Sequence, residues 1–464
     1  MEDEQMKRVW SIILTASLIL ALAACGGNSS EGGGSSSDAG SGSSGGGTAE
    51  VVFWHSLSGE IGEELEAIVE EYNTGRGAEQ GVHVTPVYQG YDGTDKQMLA
   101  YQTKDTANAC DINVGLTSTL PAMLELSWTT KVSDMYEKYG SYVPMDSFSD
   151  ALRGAVSYQG EMIALPYLNS TLVLYYNEDL LKAAGFNAPP ATLDELAEYT
   201  AALTEKDASG AVTQYGFECE PKRYHVTNYI ARQSPNAYFG DLKSGREGPM
   251  NKVIAGEEGT LKAFLEGWDK LVETGGYLYK EETIREEFTN QKTAMAMISS
   301  SSCRSVSELI GDSFQWGTAM IPAVSASDTG SSCVGGSCLV LFDRGDEARL
   351  AGAWDFMQYL STADAQYRIA THSGYIPTNK ETGNLPEMQS FWEENPQFKT
   401  AFDIIANGPE NAQEPMDLMY NEIDSAISDN MRLFCDRQLT VDQTVDAIVS
   451  QCNQLLDEWH EAND

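Results

Sequence analysis

Histidine is scarce, with five in 464 residues, and no Cys-x-x-Cys or His-Glu-x-x-His spacing occurs. The usual zinc frameworks are therefore excluded, and no metal and no cofactor is expected. Basic residues are few as well. Against 69 aspartates and glutamates stand 29 lysines and arginines, a formal charge of −40. A body this acidic repels nucleic acid and anionic lipid, so neither is an expected partner. The apolar run from Val9 to Ala24 holds about 16 residues, short of the roughly 20 that span a bilayer. Two further absences are local. No tryptophan lies between Trp128 and Trp268, and no arginine between Lys399 and Arg432.

What is present begins with that apolar run. It follows Lys7–Arg8 and ends Leu22-Ala23-Ala24-Cys25, the layout of a secretory signal. Small residues before a cysteine resemble the bacterial lipobox, so residues 1–24 are expected to be a lipoprotein signal peptide and Cys25 the lipidated residue. The acidic start from Met1 to Gln5 is unusual for such a segment. Gly26 to Gly47 is almost entirely Gly, Ser, Asn, Asp and Glu. A flexible coil of this length reaches roughly 25 Å, so residues 25–47 are expected to tether a folded body to a membrane surface. Within it, Gly42-Ser-Ser-Gly-Gly46 matches a hydrolase nucleophile elbow, but no strand or helix flanks it and it is set aside. Without the first 24 residues, which carry three acids and two bases, the charge is −39.

More than 400 residues at 42% hydrophobic content follow, enough for two or three domain-sized cores. Beyond Cys25 there are seven cysteines at irregular spacing. An odd number in an exported chain means at least one free thiol or an intermolecular bond. Cys333-Val-Gly-Gly-Ser-Cys338 is a candidate for a small disulfide loop.

The folded part opens as strand, turn and helix. Val51–Trp54 reads as a strand, and Ile61, Leu65, Ile68, Val69 and Tyr72 recur at helical spacing with acids opposite. Val82–Tyr88 and Asp111–Gly115 are further strands, each followed by a polar turn and a helix. This alternation predicts an α/β fold with a mainly parallel sheet. Ligands in open α/β sheets sit beyond the carboxyl ends of strands, which makes His55 and Ser56 candidates.

The chain is organised around Leu165–Thr200. Leu172–Tyr176 is an apolar β-rich run preceded by the hydroxyls of Ser170 and Thr171. Gly185 and Pro189–Pro190 close a short helix, and Thr192 with Glu195 forms a capping box for the next. The stretch predicts a buried strand that carries ligand-binding hydroxyls into a second lobe. Near the C-terminus, Thr440 and Gln443 cap a helix with the stripe Val445, Ile448, Val449, Cys452, Leu455, Leu456 and Trp459, read as core packing.

Phe53-Trp-His-Ser56, Thr85-Pro-Val-Tyr-Gln-Gly90, Asn169-Ser-Thr-Leu-Val-Leu-Tyr-Tyr-Asn-Glu-Asp-Leu-Leu-Lys-Ala-Ala-Gly185 and Ser373-Gly-Tyr-Ile-Pro377 occur in this order. The series resembles the family 1 extracellular solute-binding proteins of ABC importers, closest to the glycerol-3-phosphate and sugar-binding branch, from about Val51 to the C-terminus. The resemblance implies a two-lobed, type II periplasmic-binding-protein-like α/β fold with the ligand cleft between the lobes. The N-terminal lobe would comprise 48–168 and 296–343, and the C-terminal lobe 169–295 and 344–464, including the helix with Trp354, Met357, Tyr359 and Leu360.

It also implies site residues. Tyr224 lies where the family sets aromatic rings against the ligand, Ser299 and Ser300 precede a helix that follows a returning strand, and Gly335–Gly336 matches a Gly-Gly pair that lets backbones approach. Tyr375 matches a cleft-facing tyrosine. Thr117 stands where the glycerol-3-phosphate branch has a glutamate, and Tyr91–Asp92 fall one residue out of step with its tyrosine. With the missing arginine, these departures favour a neutral or weakly charged saccharide over a phosphate, unless Arg223 or Arg304 substitutes.

The expected protein is thus a monomeric, lipid-anchored receptor, not an enzyme, on the outer face of a bacterial cytoplasmic membrane. It would capture a saccharide, polyol or glycerol-3-phosphate-like solute by hinge closure and deliver it to ABC permease subunits. The competing expectation is a cell-surface glycoside hydrolase using paired carboxylates. No acid in the sequence stands out in an apolar setting that would suit it for that role.

Overall fold

The computed structural model describes residues 47–279, 283–410 and 412–463, so Cys25, the signal segment and nearly all of the tether lie outside the described residues. Residues from Gly47 onward form one compact unit. It begins with β1 (Ala49–His55), α1 (Glu60–Thr74), β2 (Val82–Tyr88) and β3 (Ile112–Leu116). β1 pairs in parallel with both β2 and β3, and α1 buries Leu65, Ile68, Val69 and Tyr72, while Ile61 of the expected stripe is half-buried. β4 (Leu165–Asn177) is a single strand of 13 residues, all buried except Tyr176.

Next come α2 (Leu193–Leu203), β5 (Phe217–Glu218), α3 (Arg223–Gln233), α4 (Thr260–Glu273), β6 (Tyr277–Leu278) and β7 (Met295–Ser299). α5 (Cys303–Ile310), β8 (Trp316–Met320), β9 (Val334–Phe342), α6 (Glu347–Leu360) and α7 (Ala363–Thr371) lead to α8 (Tyr420–Cys435) and α9 (Val441–Asn463). Thr192 caps α2 by accepting from the Glu195 amide at 3.2 Å, while the Glu195 carboxylate takes the Ala191 amide instead of that of Thr192. Before α9 the box is complete: Thr440 and Gln443 each accept the other's amide.

The main sheet runs β6-β5-β7-β4-β9-β3-β1-β2, with β8 also paired to β4. β1–β3 are mutually parallel, as are β5–β7. Between these two groups, β4 and β9 run antiparallel to their neighbours. Each parallel group has its own core. One gathers Phe53, Leu65, Tyr72, Val114 and Leu339; the other gathers Leu196, Phe217, Tyr229 and Trp268. β4 serves both, sending Val173 and Tyr175 to the first and Leu172 and Leu174 to the second, because successive strand residues face opposite ways. The molecule is a two-lobed α/β protein built around this shared strand.

Two expectations need correction. α6 packs Trp354, Phe356, Met357 and Leu360 into the core of β1–β3, not into the second lobe. β9 lies beside β3 in the first sheet group, so the helix that follows it returns onto that side. Cys333 and Cys338 do not close a loop. They lie along the extended β9 region, roughly 16 Å apart at about 3.3 Å per residue, where a disulfide needs Cα atoms about 4.4–6.8 Å apart. Cys110, Cys219, Cys303, Cys333, Cys338 and Cys452 are unbridged, and all seven cysteines are buried.

Candidate functional site

β4 and β9 do not pair as a regular ladder. Leu168 has φ +52° and Gly336 φ +96°, and the register shifts between Gly336 and Ser337. Such an irregularity bends the strand and re-aims its side chains. A Cβ on Gly336 would stand 2.3 Å from the Leu168 carbonyl oxygen, so both the φ and the close approach require glycine there. Asn169 stitches the kink. Its buried Nδ2 donates to the Gly335 and Ser337 carbonyls at 3.1 and 3.2 Å, and its own carbonyl accepts from the Ile376 amide at 2.8 Å. Tyr375 is thereby held against β4.

Several expected residues meet here. Ser170 pairs with Gly335 across the strands and is buried. Thr117, at the end of β3, donates to the Gly336 carbonyl at 3.4 Å. Tyr375 faces Tyr91 and Tyr167; burial first, and then these two neighbours, raises its ionisation above the usual phenol range. The Tyr224 hydroxyl lies 3.1 Å from where a Gly335 Cβ would be, and it is buried with no hydrogen bond of normal length, only the Asn228 side chain being near it.

Other expected residues are drawn into structural duties. The Thr171 hydroxyl donates to the Cys333 carbonyl at 2.8 Å, and the Thr171 amide donates to the Ser300 hydroxyl at 3.2 Å. Ser299 uses its hydroxyl to cap its own turn, taking the Ser301 amide at 3.3 Å. His55 packs between Phe53 and Tyr88, with ring centroids at 5.7 and 6.0 Å. Burial lowers its basicity, leaving a neutral ring whose Nδ1 has no partner. The hydroxyl oxygen of Ser56 is also buried and unpartnered. Asp92 is exposed in the short turn Gly90–Asp92.

Of the charged groups here, Arg223 alone is marked in the sequence; Arg246, Glu414 and Asp417 are not. Arg223, at 1% exposure, donates through Nη2 to Asp417 at 2.5 Å and to the Pro415 carbonyl at 3.0 Å. Its Nη1 stands 3.7 Å from Glu414, and its guanidinium lies 4.5 Å over the Tyr420 ring. Arg246 spends Nη1 on the Gly154 carbonyl and Nη2 on the Glu414 carbonyl, both at 2.7 Å. Burial pushes Arg246 down to about 10 and the Glu414 carboxyl up to about 7. An acid in a desolvating setting, invisible in the sequence, is thus present beside Gly335. Residues 409–410 and 412–419 are irregular before α8, so no periodicity marked Glu414 or Asp417. Arg304 is engaged elsewhere, 2.7 Å from Glu308 and 3.6 Å from Glu60.

Comparison with known proteins follows the same lines. Residues 67–400 match the model of the bacterial extracellular solute-binding proteins. The chain belongs to this family. It is 26% identical over 420 residues to the sn-glycerol-3-phosphate-binding periplasmic protein UgpB of Escherichia coli K12, covering 88% of this chain and 92% of that one. Among solved structures, the sugar-binding protein MalE of Xanthomonas citri superposes with a TM-score of 0.74 at 18% identity, over 89% of this chain and all of that one. UgpB of Mycobacterium tuberculosis in complex with glycerophosphocholine gives 0.70 at 17% identity, with the same coverage. These likenesses carry the two-lobed, type II periplasmic-binding-protein-like fold.

Proposed function

We propose that this solute-binding protein captures a saccharide, polyol or glycerol-3-phosphate-like solute between its two lobes and delivers it to the permease of an ABC importer. The observation that carries the reading is the convergence of Ser170, Thr117, Tyr224 and Tyr375 on the kinked β4–β9 pair between two separate cores. Closure around a ligand stabilises the state in which both lobes contact it. The first lobe is proposed as 48–168 with the β9 region and α6, and the second as 169–295 with α8 and α9. His55, Ser56, Tyr91, Asp92, Thr171, Ser299, Ser300, Gly335 and Gly336 border the cleft in this reading, the last two as floor. Lipidation at Cys25, a monomeric state and a place on the outer face of the membrane complete it.

A thermal-shift panel of sugars, polyols and their phosphates tests the reading. A binder at a hundredfold its Kd adds about 2.7 kcal/mol to stability, visible as a shift of several degrees with the ligand recovered intact. Silence across the panel would sink the receptor reading, and consumption of a glycoside would turn it toward the hydrolase. Ser170→Ala is expected to weaken binding of the identified solute about two- to tenfold, the value of one neutral hydrogen bond of ~0.5–1.5 kcal/mol. Unchanged calorimetric affinity would remove Ser170 from the site.

A further inference from the structure

We propose that Glu414 is the specificity-determining carboxylate of the cleft: with the Tyr224 hydroxyl it forms an acceptor wall over Gly335 that reads the hydroxyls of an uncharged polyol or saccharide and turns away a phosphate monoester. The assignment rests on the receptor reading above. It starts from position: one Glu414 carboxylate oxygen lies 2.6 Å from where a Gly335 Cβ would stand, and the Tyr224 hydroxyl 3.1 Å from the same point. Both groups therefore meet at the strand pair that carries Ser170.

Neither group is satisfied internally. Among the described residues no hydrogen-bond donor reaches the Glu414 carboxylate; its nearest cation, Arg223 Nη1, is 3.7 Å away. The Glu414 side chain keeps 12% of its surface open, so a ligand has an edge to approach. The Tyr224 oxygen is wholly buried with no hydrogen bond of normal length, only the Asn228 side chain being near it, and Arg223 Nε and Nη1 are likewise unpartnered on a side chain 1% exposed. Buried polar groups in native folds are nearly always paired, and ligand hydroxyls over Gly335 would pair the Glu414 carboxylate and the Tyr224 hydroxyl.

The charge balance sets the class of ligand. Arg223 is matched by Asp417 at 2.5 Å, with both side chains 1% exposed, and Arg246 is committed to two carbonyls. Lys222 is held by Glu220 at 2.6 Å. The groups acting on Glu414 are Arg223 and Arg246 against Asp417 and Asp424, with Tyr224, Tyr420 and Cys333 also facing it. Counting Glu414 itself, three carboxylates face two guanidiniums, so a phosphate dianion would enter a site with a negative excess, although Arg246 has only carbonyl partners. Sugar hydroxyls, which donate to a carboxylate, carry no such penalty.

Calorimetry with maltose, ribitol and glycerol 3-phosphate on wild type, Glu414→Gln and Tyr224→Phe tests this. Wild type is expected to bind an uncharged member and not glycerol 3-phosphate. Glu414→Gln should lose tenfold or more of that affinity, as for a hydrogen bond to a charged group, and Tyr224→Phe two- to tenfold. Because burial holds the Glu414 carboxyl near 7, a donating ligand competes with a proton. Wild-type affinity should fall by up to tenfold per pH unit below 7, while Glu414→Gln stays flat, a signature that a purely structural role would not give. The assignment is overturned if glycerol 3-phosphate binds more tightly than the uncharged solutes, or if Glu414→Gln binds within twofold of wild type with the same pH profile. Binding to no member of the wider panel by wild type would instead bring down the receptor reading itself, and this assignment with it.

Discussion

Arg223→Met is expected to lower the unfolding free energy by about 3–5 kcal/mol, the usual cost of removing one partner from a buried ion pair. The variant leaves Asp417, whose side chain is 1% exposed, without its cation, and strands Glu414 beside it. The lost guanidinium also uncovers the Pro415 carbonyl and the Tyr420 face. Pairing the change with Asp417→Leu should restore much of the loss, because an apolar pair of similar volume replaces a charge pair with little net penalty. Urea midpoints for the two variants check both halves. A single variant within 1 kcal/mol of wild type would show that the cluster is solvated in solution.

Trp268→Ala should cost a similar ~3–5 kcal/mol, through lost burial and a residual cavity. Trp268 is fully buried in the second core, with the rings of Phe217, Tyr229, Phe264 and Tyr277 at 6.2, 5.4, 5.2 and 5.5 Å. Its indole Nε1 is a buried donor with no hydrogen bond of normal length, the Tyr277 hydroxyl being a polar neighbour. Trp268→Phe removes that donor while keeping most of the ring, so it should cost well under half as much. Chemical denaturation distinguishes the two. Equal losses would place the ring nitrogen in a hydrogen bond and the cavity argument in error.

Periodicity made much of the fold legible. The strands at 51–54 and 82–88 lie where the sequence places them, and the α1 and C-terminal helix stripes face the cores, because burial in those helices follows a 3.6-residue repeat. The buried strand at Leu172–Tyr176 was legible too, but not its full 13 residues. Leu168 at φ +52° is its fourth residue, and no sequence rule anticipates a leucine there. The place of α6 was not legible, since Trp354 and Met357 form the same stripe whichever lobe receives them. Strand order decides it, and strand order is a long-range property.

The candidate site divides the same way. Ser170, Tyr224, Gly335 and Tyr375 carry turn or motif character, so sequence pointed at them. Glu414 and Asp417 lie in an irregular segment among 69 acids, and only the neighbours supplied by folding separate them from the rest. Thr171 and Ser299 show the converse: hydroxyls at a strand mouth look available in sequence, yet backbone groups claim them.

The buried cysteines give the molecule a built-in clock. Cys110, Cys303 and Cys338 are enclosed with the first core, and Cys219 and Cys452 with the second. Burial raises the ionisation of all five thiols, and a protonated, enclosed sulfur does not react with an alkylating reagent. Labelling must wait for the chain to open locally, so the rate at each cysteine measures the opening free energy of its own half. Mass spectrometry of alkylated peptides would then time the two halves separately, in one tube and without any engineered probe.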